Sequence, residues 1–270
     1  MDLPAVSEIA PAQRAAVDRW RAGDAWLAGG TWLFSEPQPD LRRLMDLTAL
    51  GWPALTAGTD GLEIAATCTL AQLAAYPVAP QWPAAALFAA CCEALLGSLK
   101  VCNAATVGGN LCCALPAGPM IALTVGLDGI CEVWSAGDRT RHVAAAELVT
   151  GPGETSLAPG ELLRSITLPD RTLGCDTAFR QESLAPLGRS GALVLGRRSE
   201  TGEVVITVTG AVPRPVQLRF DTPPGAAGLR DALTTADPEP YDDPHGDPRW
   251  RAHLIALLCE EVRAELQERA

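Results

Sequence analysis

AWLAGGTWLF, residues Ala25–Phe34, and AATVGGNLCCALPAGP, residues Ala104–Pro119, share one plan: an apolar run, two glycines, then Thr or Asn. A glycine pair lets the backbone take positive φ and turn successive N–H groups toward one point, an arrangement that suits an anion. Taken singly, either pair reads as a tight turn. Two in one chain favour the anion-holding reading over a pair of ordinary turns.

The surrounding composition narrows the choice. A chain of 270 residues with 48% hydrophobic and 20% charged side chains has enough apolar material for one large domain or two lobes. Acidic residues outnumber basic ones by 32 to 21, the net charge is −11, and Lys100 is the single lysine. With no basic run, neither nucleic acid nor an acidic membrane is an expected partner. The apolar stretch Trp82–Cys92 is too short to span a bilayer and MDLPAVSEIA is no signal peptide, so the expectation is a soluble, cytoplasmic chain. Nine cysteines, two pairs of them adjacent, fit reduced thiols better than a disulfide framework.

Along the chain, Ala12, Ala15, Ala16 and Trp20 predict a helix ahead of Gly23, followed by a strand at Ala25–Leu27. A strand is expected at Leu62–Ala66 and a capped helix from Thr67 or Thr69. Leu87, Cys91, Ala94 and Leu95 share a helical face, with Gly97 placed as a left-handed C-terminal cap. IALTVGLDGICEVWSA reads as strand, and TGPGETSLAPGELL as a loop leading into a strand at Leu163–Leu168. From Thr177 three β-type runs follow, the last two joined at SETGE, and Trp250, Leu254, Leu257, Leu258, Val262 and Leu266 mark a closing amphipathic helix.

AGGT at Ala28–Thr31, TVGGNL at Thr106–Leu111 with PAG at Pro116–Gly118, and TGPGETSLAPGELL at Thr150–Leu163 occur in an order and spacing that resemble the flavin subunit of molybdenum hydroxylases. That family contains the medium subunit of carbon monoxide dehydrogenase and the FAD domain of xanthine dehydrogenase, and the resemblance spans almost the whole chain. It implies an α+β fold: a two-part, vanillyl-alcohol-oxidase-like (PCMH-type) FAD-binding domain over residues 1–172, then a lobe over residues 173–270 with a three-stranded antiparallel sheet and helices. It implies FAD as cofactor, with Ala28, Gly29, Gly30, Thr31 and Trp32 around the pyrophosphate. Thr106, Val107, Gly108, Gly109 and Asn110 fall to the flavin-proximal half. Gly97, Ser98, Leu163 and Arg180 are implied as further contacts. The implied role is electron transfer from an iron–sulfur small subunit and a molybdopterin large subunit, through FAD, to NAD, oxygen or another acceptor.

Three positions depart from the family pattern. Pro119 stands where an Asp is usual, Cys102 where an Arg is usual, and Trp32 where Asp or Ser is common. Pro119 and Cys102 keep open a flavin-free scaffold subunit. A self-contained flavin oxidase is less favoured, because no His lies near either glycine pair. The five thiols from Cys91 to Cys113 lack the spacing of cluster ligands, GPGETS lacks the last glycine of a dinucleotide fingerprint, and no catalytic triad or carboxylate pair is visible.

Overall fold

The computed structural model describes residues 3–269. Among the described residues three larger sheets follow one another along the chain, with a fourth of two strands beside the second. β1 (Glu8–Pro11), β2 (Asp24–Leu27) and β3 (Arg43–Asp46) form a parallel sheet in the order β1-β3-β2. The helix expected before Gly23 is here a strand plus one 3-10 segment, Arg14–Arg19, that buries only Val17. So short a segment leans on its neighbours: the Trp20 ring packs 5.1 Å from that of Trp26, and Arg14 lies 4.2 Å over Trp134 of the next sheet.

That next sheet is antiparallel throughout. β4 (Leu55–Gly58), β5 (Gly61–Ala65), β6 (Ile130–Ser135), β7 (Arg139–Ala144) and β10 (Leu162–Pro169) run in the order β4-β5-β10-β6-β7, and β8 (Val149–Gly151) pairs with β9 (Glu154–Thr155) beside it. Leu62, Ile64, Ile166 and Leu168 meet the helices through one continuous core. Those helices are α1 (Leu70–Ala74), α2 (Ala86–Glu93), α3 (Leu99–Ala104), α4 (Val107–Cys113), α5 (Pro119–Gly126) and the single turns α6 (Ala145–Leu148) and α7 (Asp170–Leu173). Thr69 starts α1 through a reciprocal capping box with Gln72.

The IALTVG stretch, expected as strand, is helix α5. Every one of its eight residues is buried, so no polar face exists to set a 3.6-residue period. Pro119 fits its first position, where no N–H partner is required. The left-handed residue after α2 is Leu96, with φ 55°, not Gly97.

Beyond Asp176, β11 (Asp176–Glu182), β12 (Ala192–Arg198), β13 (Val204–Thr209) and β14 (Val216–Phe220) make a four-stranded meander, one strand more than expected. VQLRF escapes a sequence reading because Pro213 and Pro215 precede it and its run is short. After α8 (Ala226–Ala236), α9 (Pro248–Glu268) lays Leu254, Leu258, Val262 and Leu266 on this sheet, while Leu257 stays 42% exposed.

The C-terminal end of α5 ties this lobe to the rest. Gln217 donates to Val125 O (2.8 Å) and Arg197 to Gly126 O (3.0 Å), while Thr172 of α7 holds Leu127 O (2.7 Å) from the other side. Asp128 accepts from Arg197 (2.6 Å) and Arg219 (2.7 Å). Burial works to raise the Asp128 pKa, but the two guanidinium groups prevail and hold it below the usual carboxylate value.

A second carboxylate fixes the loop before β10. Glu161 accepts from Ser135 Oγ (2.6 Å), from Arg141 through Nε (2.9 Å) and NH2 (2.7 Å), and from Ala158 N (2.9 Å). The Arg141 hydrogen bonds lower its pKa from 4.5 to about 2 against the opposing effect of burial. A depressed folded-state pKa stabilises above the unfolded value and is lost as pH falls, here from 4.5 toward 2. Glu161→Gln therefore costs about 2 kcal/mol at neutral pH, allowing for screening, and the gap to wild type closes near the lower limit. Urea midpoints of both proteins across that range measure it; a gap independent of pH assigns the loss to packing.

Candidate functional site

The first glycine turn leaves β2 at Leu27 and reaches Gly30 in the left-handed region, φ 67°. A Cβ added to Gly29 would stand 1.6 Å from the carbonyl oxygen of Ala104. Gly29 thus rests directly on the peptide that ends α3, two residues before the second glycine motif. Two stretches some seventy-five residues apart in sequence meet here by backbone contact.

The N–H groups of Gly29, Gly30, Thr31 and Trp32 find no acceptor among the described residues. The chain then folds back: Phe34 N donates to Gly30 O (2.9 Å), and Ser35 N to Trp32 O (2.9 Å). Four unspent donors on a partly exposed turn form a concentration of positive dipole suited to a phosphate.

The second motif is built differently from the expectation of a second anion-holding turn. It is the first turn of α4, with Thr106 as N-cap. Its amides are already used: Val107 N donates to Cys68 O (2.9 Å), Gly108 N to Ala66 O (3.0 Å), Gly109 N to Thr106 Oγ1 (3.0 Å) and Asn110 N to Thr106 O (2.9 Å). Here glycine serves close approach, since a Cβ on Gly108 would fall 2.5 Å from that of Ala66. Asn110 Oδ1 accepts from Met120 N (3.1 Å), and that bond occupies the start of α5 beside Pro119. The position where the family has Asp is therefore a buried proline whose neighbouring N–H is served from within.

Ser98 caps α3, accepting from Val101 N (3.3 Å), and Gly97 precedes it. At the expected arginine position, the Cys102 thiol donates to Gly97 O (3.4 Å). Ala28–Trp32, Gly97–Ser98 and Thr106–Asn110 are thus gathered around the two ends of α3. Leu163 and Arg180 are differently engaged. Leu163 is a core residue of β10 opposite Val133, and Arg180 gives its guanidinium to Glu261 (3.0 Å) and Glu265 (2.8 Å) of α9 and to Phe179 O (2.9 Å).

The thiols do not converge on a metal: no group of three ligating side chains occurs among the described residues. Burial pushes the Cys68, Cys92 and Cys131 pKa values up to about 12, so these thiols stay protonated and inert. No helix among the described residues is long and apolar enough to cross a membrane. The Ala104 carbonyl under Gly29 and the Ala66 backbone under Gly108 are parts of the site that sequence reading missed. Their only trace is glycine where a single turn glycine would have sufficed.

Residues 9–171 match the family described as the FAD binding domain in molybdopterin dehydrogenase. The chain belongs to that family. The FAD-binding domain so identified contains both glycine motifs and the loop held by Glu161. Among curated proteins, the chain is 24% identical over 186 residues to subunit alpha of the 6-hydroxypseudooxynicotine dehydrogenase complex of Paenarthrobacter nicotinovorans, covering 63% of this chain and 62% of that one. It is 29% identical over 116 residues to xanthine dehydrogenase of Oryza sativa subsp. japonica, covering 41% of this chain and 8% of the relative. The chain thus spans less than two thirds of either relative. Among solved structures, a chain of quinoline 2-oxidoreductase from Pseudomonas putida 86 superposes with TM-score 0.82 at 20% identity over 99% of both chains. A chain of CO dehydrogenase from Oligotropha carboxidovorans gives TM-score 0.82 at 20% identity over the full length of both. The mixed helix and sheet architecture is shared along the whole chain.

Proposed function

We propose that this chain is the flavin subunit of a multisubunit molybdenum hydroxylase, an oxidoreductase component that passes electrons from iron–sulfur clusters through FAD to an acceptor. The observation that carries the reading is the contact of Gly29 with Ala104, which sets four unspent amides against the end of α3, just ahead of the second glycine motif. The cradle fits the cofactor: the amides of Gly29–Trp32 take the pyrophosphate, with Ala28 leading into the turn, and this suits a chain with one lysine. Gly109 and Asn110, partly exposed, fall to the flavin-proximal half, and Thr106, Val107 and Gly108, buried beneath them, hold that turn in place. Gly97 and Ser98 border it, and Leu163 supports it from the core. Arg180 would have to leave Glu261 and Glu265 to take part. Bound FAD supplies two-electron redox chemistry; the residues named bind and orient it.

Residues 1–172 are read as the two-part, PCMH-type FAD-binding domain and residues 173–270 as the C-terminal lobe. With no catalytic acid–base pair in its site, the chain works in the cytoplasm with an iron–sulfur small subunit and a molybdopterin large subunit, through contacts on the order of 2,000 Å². Alone it oxidises no purine, aldehyde or carbon monoxide. The purified chain is expected to show a flavin spectrum whose chromophore is released by heat at one FAD per chain. A colourless protein that takes up no added FAD would select the second reading, a flavin-free scaffold subunit, which Pro119 and Cys102 favour.

A further inference from the structure

Six of the seven tryptophans are engaged by the fold. Trp20 packs on Trp26 and Trp52 on Trp134, Trp82 donates its indole N–H to Asp170 (2.7 Å), and Trp250 packs against the core of the C-terminal lobe. Arginine covers a face of two of these rings: Arg164 stands 4.5 Å over Trp52 and Arg14 4.2 Å over Trp134. Trp32 is the exception. It is partly exposed, and among the described residues its indole joins no aromatic pair, no cation and no core cluster.

The backbone beneath that ring is fixed. Trp32 O accepts from both Ser35 N (2.9 Å) and Ser35 Oγ (2.9 Å), while Trp32 N is the last of the four free amides. The row of amides has a direction. Its Gly29 end rests on Ala104, two residues ahead of the second glycine motif, and Trp32 lies at the other end. A diphosphate laid along the row with its flavin half toward that motif sends its nucleoside half out past Trp32. A flat, unpaired indole at that end suits the face of a purine. The flavin half meanwhile is poorer in free polar groups, since Asn110 Oδ1 is taken by Met120 N and Cys102 turns its S–H onto Gly97 O.

We propose that Trp32 is the nucleoside platform of this site, stacking its indole on the purine base of the dinucleotide. The proposal rests on the flavin reading above. The indole stands where Asp or Ser is common, and so exchanges a polar contact near the diphosphate for an apolar one beyond it. Trp32→Ala removes the ring but keeps the backbone N–H, so the diphosphate cradle stays intact and the loss is that of stacking.

Three ligands separate the halves of the site: ADP carries purine and diphosphate without flavin, FMN carries flavin without purine, and FAD carries all of them. Binding to the apo-protein is measured by isothermal titration calorimetry, with circular dichroism to confirm folding. Trp32→Ala is expected to lower the affinities for FAD and ADP about tenfold each, a factor within the range of base-on-aromatic stacking, and to leave that for FMN nearly unchanged. Trp32→Phe is expected to recover most of the loss, because it restores an aromatic face. ADP absorbs no tryptophan emission, so quenching of that emission by ADP reports contact with the ring. Quenching is expected in wild type and not in Trp32→Phe, which keeps the other tryptophans. Equal affinity of Trp32→Ala and wild type for ADP overturns the proposal, as does quenching that persists in Trp32→Phe or a loss confined to FMN and FAD, which would set the flavin against the indole. The two readings fail separately. FAD bound as tightly by Trp32→Ala as by wild type condemns the platform alone; ADP bound through Trp32 in a protein that takes up no FAD condemns the flavin reading alone. A protein that binds neither condemns both.

Discussion

Gly29→Ala is expected to abolish stoichiometric FAD binding, with a loss of at least a hundredfold in affinity, in a protein that remains folded. The new Cβ would sit 1.6 Å from Ala104 O, less than half a normal contact distance, and the atom in its way is backbone rather than a side chain that can rotate. The first turn must therefore lift off α3 by more than an ångström, and its four free amides move with it. A hundredfold loss corresponds to about 2.7 kcal/mol, within the range that overpacking costs in a tight contact. Gly30 offers the control. Its φ of 67° disfavours any side chain by roughly 1–2 kcal/mol, but the atoms a Cβ would meet belong to the Phe34 ring, 2.4 Å away, which can move. Gly30→Ala should be weaker than wild type yet measurable, and partly restored by adding Phe34→Ala; the bulkier Gly30→Val should resemble Gly29→Ala. Fluorescence titration of each apo-protein with FAD, with circular dichroism to confirm folding, gives the comparison. A Gly29→Ala protein that still binds one FAD would remove the first turn from the site.

The same contact shows what a sequence does and does not disclose. The glycine pairs, their order and the alternation of Leu163–Leu168 are local patterns, and β5, β10, β11 to β13 and α9 stand where those patterns put them. What lay beyond reach depended on partners distant in the chain. Gly108 and Gly30 look alike as letters, yet one is helical with its amide spent on Ala66 and the other is left-handed with its amide free. Nothing within TVGGNL announces Ala66. Helix α5 was hidden for the opposite reason: buried on every side between α2, α4 and the C-terminal sheet, it carries no periodic polar face to distinguish it from a strand. Leu257 looked like a member of the buried stripe of α9 because a helix face read from letters has no sharp edge; packing against the sheet leaves it outside. Arg180, placed by resemblance near the cofactor, meets acidic residues of α9 that a reading of β11 alone could not pair with it.

Asp128→Asn is expected to destabilise the whole chain by about 3–5 kcal/mol, the range for removing one partner from a buried ion pair. Asp128 sits beside Arg197, whose side chain is 3% exposed, at a point where β12 and β14 meet the end of α5. Neutralising the carboxylate leaves the Arg197 guanidinium buried with only uncharged partners, the Gly126 carbonyl and the new amide oxygen among them, and Arg219, half in solvent, simply turns outward. The distinction between a missing attraction and a stranded charge is open to experiment. If the stranded charge dominates, Arg197→Met in the Asp128→Asn background removes the buried cation and recovers a large part of the loss. If the attraction dominates, the double variant is no better than the worse single one. Urea unfolding of the four proteins gives the coupling energy directly. The consequence reaches the cofactor through α5, whose first turn is bonded to Asn110 and whose last turn is bonded to Gln217 and Arg197. A single helix of eight residues thus connects the second glycine motif to the C-terminal sheet. Loosening its far end should raise the FAD dissociation constant in Asp128→Asn, and recovery of stability in the double variant should restore FAD affinity in parallel, because both depend on the same helix being held at both ends.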